Sequence, residues 1–277
     1  MAITRDEIRR YLATGEEDSF HPGWMQDIFR SPGVRRETLR GALVDEVRRR
    51  AGRATTPPAP AGGDLAAFAR AKLAPMVNGL FPQRERETVL AALERSVVFL
   101  TPDTIADVLR REPWHGTAWD LANLYLLSVG AEPLAADAPR IVGLSQGLTC
   151  YVSASYFAEP DPFADFVVHE AAHVFHNCKR RTLGLPATRR KVWLLDIAFR
   201  QRETFAYACE AYGRLLELGR TPADRQRLLR DVEEDPPVAG GRVDVDIYLA
   251  ALREAVAARN GWKRLLRACA PPKGQPS

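Results

Sequence analysis

Four cysteines are spread through 277 residues, Cys150, Cys178, Cys209 and Cys269, and none forms a Cys-x-x-Cys pair. Their spacing argues against both a disulfide scaffold and a cysteine-built zinc site, and leaves reduced, buried thiols as the expectation. Long apolar runs are also missing. No stretch reaches the roughly 20 residues that a membrane-crossing helix needs. The start of the chain, Met1-Ala2-Ile3-Thr4-Arg5-Asp6-Glu7, carries charges where a signal peptide needs an apolar segment. A cytoplasmic location without a membrane partner is therefore expected. No sign of charge dominates: a net charge of +4 falls well short of a nucleic-acid-binding footprint. Histidine is scarce, with five in the chain, yet three of the five lie between 169 and 176.

What is present suits a folded protein with a real core, at 46% hydrophobic and 27% charged residues. Apolar residues recur at helical spacing over 3–13, 35–51 and 22–30. The Pro-, Gly- and Ala-rich stretch that follows cannot continue a helix. A helical N-terminal unit over 1–52, a linker at 53–63, a main domain over 64–270 and a flexible tail at 271–277 are the expected divisions. Within the main domain 64–80, 84–99, 102–111 and 115–129 read as helices, with Thr101-Pro102 as a cap and first-turn proline. Between 140 and 157 the chain turns β-branched and aromatic, and two short strands are expected, at 141–144 and 148–157. Asp161-Pro162 offers the start of a further helix running to about Asn177. The fold class that results is mainly α (α+β) with a small sheet.

That last helix holds His169-Glu170-Ala171-Ala172-His173, a His-Glu-x-x-His pattern in an apolar frame. Histidines four apart project from one helix face, so both imidazoles can reach one metal ion, and the glutamate sits where it can take a proton from water. Catalytic zinc ordinarily has three protein ligands and an open position. No histidine follows His176, and His176 lies about 10 Å along the helix from His169, too far to share an ion with it. Its expected role is a hydrogen bond beside the site or in the core. The third ligand is thus sought among downstream carboxylates: Asp196, Glu203, Glu210 and Glu217, spaced seven apart along a helix expected over 190–218 and sharing one face. Glu203 and Glu210 both sit among apolar residues, where a carboxylate needs a compensating cation.

Together these residues resemble the zincin metallopeptidases with a glutamate third ligand, the gluzincin type, over roughly 140–218. His169, Glu170 and His173 match that family's two histidine ligands and general base, and Glu203-Thr204-Phe205-Ala206 matches the helix that carries its ligand glutamate. The resemblance implies a zincin-like domain, a Zn2+ cofactor held by His169, His173 and Glu203, and peptide-bond hydrolysis of a peptide or protein substrate with Glu170 as base. It also implies a tyrosine donor, for which Tyr207 and Tyr212 are candidates, and a strand at 148–157 pairing with an extended substrate. One departure stands out. Where thermolysin-like members have an aspartate to orient the first histidine, this chain has Tyr207, so that partner is sought in Asp196 or Glu210. The alternative is a zincin-derived protein that binds without cleaving. Basic residues at 179–181 and 189–191 read either as a cationic lip or as a solvated loop, and His115 as part of a helix cap region.

Overall fold

The computed structural model describes residues 2–18, 32–52, 64–189, 191–236 and 241–272. The helix expected over 22–30 and the linker at 53–63 lie outside the described residues, as does all of the tail at 271–277 beyond residue 272. The architecture is mainly helical, with one three-stranded sheet. Two compact units are present. The first comprises Met1–Ala61, Phe99–Gly143 and Ser153–Ala158, and the second Gly62–Val98, Leu144–Val152 and Glu159–Ser277. Residues 1–52 thus share their unit with Phe99–Gly143.

In the first unit, α1 (Ala2–Thr14) and α2 (Pro32–Ala51) pack with α5 (Ile105–Arg111) and α6 (His115–Ser128). Polar tethers supplement the apolar packing. The Tyr11 hydroxyl donates to the His115 carbonyl at 3.0 Å, and the Trp119 indole donates to the Leu12 carbonyl at 2.9 Å. The buried Arg40 guanidinium donates to the Glu112 carbonyl at 2.8 Å.

In the second unit, α3 (Leu65–Leu80), capped by Asp64, pairs with α4 (Gln83–Ser96). The central α7 (Phe166–Asn177) lies against α3 and α8 (Arg202–Leu218). Around α8 stand α9 (Pro222–Glu234), α10 (Val245–Ala257) and α11 (Trp262–Cys269). Nine of the twelve residues of α7 are buried, which fits a sequence apolar on nearly every side. At Gly79 of α3 the Trp262 ring comes so close that an added Cβ would lie 2.1 Å from it, so only glycine permits this approach.

The sheet has the order β1-β3-β2, from β1 (Val97–Leu100), β2 (Gly143–Gln146) and β3 (Thr149–Ser153). Gly147, at φ +60°, serves the two-residue turn between β2 and β3. Three boundaries differ from expectation. The helix expected over 84–99 ends at Ser96, and Val97-Val98-Phe99-Leu100 joins the sheet instead, as β-branched and aromatic residues favour. The motif helix starts at Phe166 because Asp165 caps it, while Asp161 caps a turn by accepting from Phe163 N at 2.8 Å. The helix expected over 190–218 begins only at Arg202, after a 3₁₀ turn at Phe199–Gln201. Ahead of it Leu194 N and Leu195 N donate to the carbonyls of Cys178 and Phe175, satisfying the end of α7.

All four cysteines are unpaired and buried. Among the described residues, no helix is long and apolar enough to cross a membrane.

Candidate metal centre

His169 and His173, one turn apart on α7, turn their Nε2 atoms toward each other at 3.3 Å. Glu203, in the first turn of α8, brings Oε2 to 3.6 Å from His173 Nε2 and 4.0 Å from His169 Nε2. Among the described residues, these three form the one group of His, Cys, Asp or Glu whose donor atoms converge closely enough to hold an ion. Tetrahedral zinc donors at about 2.0–2.1 Å from the ion stand about 3.3–3.4 Å apart. The two histidines meet that spacing, and the carboxylate needs a shift of roughly half an ångström to meet it. The donor chemistry agrees. Two imidazole nitrogens facing one point need a proton or a cation between them, Glu203 brings a carboxylate to that point, and the charges of Glu170 and Glu210 also act on His169. Nitrogen and oxygen donors of this kind suit zinc without selecting it over other transition metals.

An outer ring of contacts fixes the donors. Glu210 Oε2 lies 2.8 Å from His169 Nδ1, so Glu203 and Glu210, two turns apart on α8, approach the same imidazole ring from its two nitrogens. Glu210 Oε1 in turn accepts from Asp165 N at 2.7 Å. Asp165 caps α7 through Val168 N at 3.2 Å and pairs with Lys72 Nζ at 3.1 Å. His173 Nδ1 is 3.0 Å from His176 Nε2, which gives His176 the hydrogen-bonding role expected of it. The Tyr207 ring meets the His169 ring edge-on, with centroids 4.6 Å apart. Glu170 is buried and hydrogen-bonds to Ser145 of β2.

Electrostatics separate these groups. Burial opposes charge on His169, but Glu210, Glu170 and Glu203 outweigh it and raise its pKa to about 9. Burial and the charges of His169, His176 and Arg202 push His173 down to about 2. The two shifts are opposed, so at neutral pH the positive charge favours His169 over His173. Desolvation lifts Glu170 to about 7, against the pull of His169 and the Ser145 hydrogen bond, with Glu203 and Glu210 adding to the rise. A carboxyl balanced near neutrality can both take and return a proton.

Other candidates stand elsewhere. Asp196 lies in the extended segment ahead of α8, outside the helical face it was expected to share. Glu217 is taken up by Lys72 at 2.7 Å and Arg214 at 2.6 Å. Tyr212 hydrogen-bonds to the backbone of Gly261 and packs against Trp262. His115 is half-buried and meets the Tyr11 ring edge-on in the first unit. In the basic loop, Arg180 is neither lip nor solvated charge: it is buried, paired with Glu85 at 2.8 Å and donating to the Pro186 carbonyl. The strand expected to receive substrate is also corrected. β3 is flanked on both sides, and the remainder of 148–157 is a 3₁₀ turn at Ala154–Ala158, so β3 has no edge to offer. β2, which carries Ser145, is an edge strand.

Ser145 and the Lys72–Asp165 pair were not read as site residues from the sequence. Ser145 belongs to no motif, and Lys72 is one cation among many, so only the three-dimensional arrangement singles them out. In comparison with known proteins, no family model matches the chain, and no curated protein and no solved structure matches it significantly.

Proposed function

We propose that this protein is a zinc-dependent metallopeptidase of gluzincin type, with a zincin-like catalytic domain, acting on a peptide or protein substrate. The observation that carries the reading is the convergence of His169, His173 and Glu203 on one point, with Glu170 buried beside them. His169, His173 and Glu203 would hold a zinc ion, which would supply Lewis acidity toward water and the scissile carbonyl. Glu170 takes the proton of the attacking water and delivers it to the leaving amine. Ser145 holds the Glu170 carboxyl in place, and Glu210 fixes the tautomer and tilt of His169 by accepting from its Nδ1. Tyr207, whose phenol burial keeps protonated, is the proposed additional donor to the developing oxyanion. The edge of β2 is the surface on which an extended peptide pairs.

Metal analysis and a variant series test this. Purified protein should hold about one zinc per chain, and His173→Ala or Glu203→Gln should lower that occupancy. Glu170→Gln should keep the metal and lose hydrolysis of a casein or peptide-library substrate. Wild-type protein that takes up no zinc on reconstitution would overturn the reading. Full zinc with no hydrolysis in both wild type and Glu170→Gln would favour a binding protein derived from a peptidase.

A further inference from the structure

Two cavities adjoin along the segment between α7 and α8, and the metallopeptidase reading uses neither. The first, of about 620 Å³, has an apolar wall that includes Trp193, Leu195, Ile197 and Phe199. Its charges are one of each sign, Asp196 and Arg200. His176 also lines it. That ring meets His173 at Nδ1, the nitrogen turned away from His169, so the cavity lies behind the candidate metal centre and not over it. The second cavity, of about 470 Å³, shares Trp193, Leu195 and Asp196 with the first, and the two make one groove. Its own wall is basic: Arg84, Arg180, Lys191, Lys263 and Arg267 stand against Glu85 and Asp196.

The charge balance favours an anionic occupant. Glu85 is taken up by Arg180 at 2.8 Å and approached by Arg84 at 3.9 Å. Asp196 is then the one acid of the wall left to face Lys191, Lys263 and Arg267, none of which makes an ion pair among the described residues. Like charges around a concavity focus a potential in it, here a positive one. Exposed cations alone would be a solvated surface, but the apolar end of the groove adds a second indication. Phe199 is 77% exposed, more than any other large apolar side chain described, and Val192 of the same segment is 39% exposed. An aromatic ring held in water in the wall of an apolar cavity offers surface that a partner's apolar side chain can cover.

We propose that this groove docks an acidic peptide segment. An aromatic or bulky aliphatic side chain of the segment enters the cavity at Phe199, and carboxylates next to it in the peptide meet Lys191, Lys263 and Arg267. Lys191, in the basic loop, then belongs to a cationic lip. This inference goes beyond the metallopeptidase reading and does not rest on it, because the groove lies behind the centre and its binding is measured without hydrolysis.

The test is fluorescence anisotropy of an amino-terminally fluorescein-labelled peptide, Gly-Gly-Phe-Glu-Glu-Glu, titrated with the full chain. The Glu170→Gln chain is used, which keeps the readout free of peptide hydrolysis. The peptide should bind saturably with a Kd below about 1 mM, and more weakly as salt is raised. Replacing its three glutamates by glutamine, or its phenylalanine by alanine, should weaken binding by about tenfold. In the protein, Lys191→Glu combined with Lys263→Glu should weaken it by about tenfold, and Phe199→Ser by roughly fivefold. All three positions are exposed, so the fold should survive, as circular dichroism would verify. No saturable binding in that range, equal binding of the glutamine peptide, or undiminished binding by either variant would each overturn the proposal. So would displacement of the probe by an oligouridylate at lower concentration than by the unlabelled peptide, which would assign the groove to nucleic acid.

Discussion

Glu210 is the residue whose role depends most on its neighbours, because it reaches both the first histidine of the site and the cap of the helix that carries it. Removing its charge should leave the three donors in place but free the His169 ring to turn. We expect Glu210→Gln to weaken metal binding by about 10–100-fold, read by competition with a chromogenic chelator, while Glu217→Gln leaves it unchanged. The His-Glu-x-x-His pattern was legible in the sequence because its chemistry is local to one helix. Glu203 and Glu210 could not be ranked from spacing alone. Seven residues make two turns, so both carboxylates fall on the same face and reach the same ring, and only the packing of α8 on α7 decides which nitrogen each meets. A residue away from the site gives a pH prediction. Burial, with Arg40, Arg36 and Arg35, lowers His115 to about 4 from its usual 6.5. Between those values the unfolded chain holds a proton that the folded chain refuses, so stability should fall as pH drops from 6.5 toward 4. Thermal unfolding across that window checks this, and His115→Gln should flatten the slope.

The extent of α3 and the end of α7 at Asn177 followed the apolar spacing, while the start of α7 was placed at Asp161 and lies behind Asp165. Helices were misjudged where tertiary pairing overrides local preference. Val97–Leu100 leaves the helical pattern because the sheet takes its backbone groups, and 191–198 stays out of the helix, with Leu194 N and Leu195 N bonded to the carbonyls of Cys178 and Phe175. The approach of α3 to α11 was invisible in the sequence, since Gly79 reads there as a mere helix weakener. Gly79→Ala should therefore destabilise the protein by up to about 2 kcal/mol, the overpacking cost of about 1–3 kcal/mol against Trp262 less a gain in helix propensity of about 1 kcal/mol. Gly41→Ala, on α2 with open space around the added Cβ, should be neutral or slightly stabilising. Urea denaturation of the two variants makes the comparison.

At the scale of the whole molecule, the four thiols report on integrity. Burial raises all four, Cys150 and Cys209 well above their usual value and Cys269 to about 12. A thiol reagent at pH 8 should find none of them in the native protein and all four in denaturant. The candidate centre has a consequence of the same reach. Its donors come from two helices separated by a long stretch of chain, so an unfolded chain has no site at all. An ion seated there would act as a clasp between α7 and α8, and its binding free energy would also be folding free energy. Chelation should accordingly lower the unfolding temperature of the protein, and a variant that loosens the packing of these two helices should release its metal before it loses its shape.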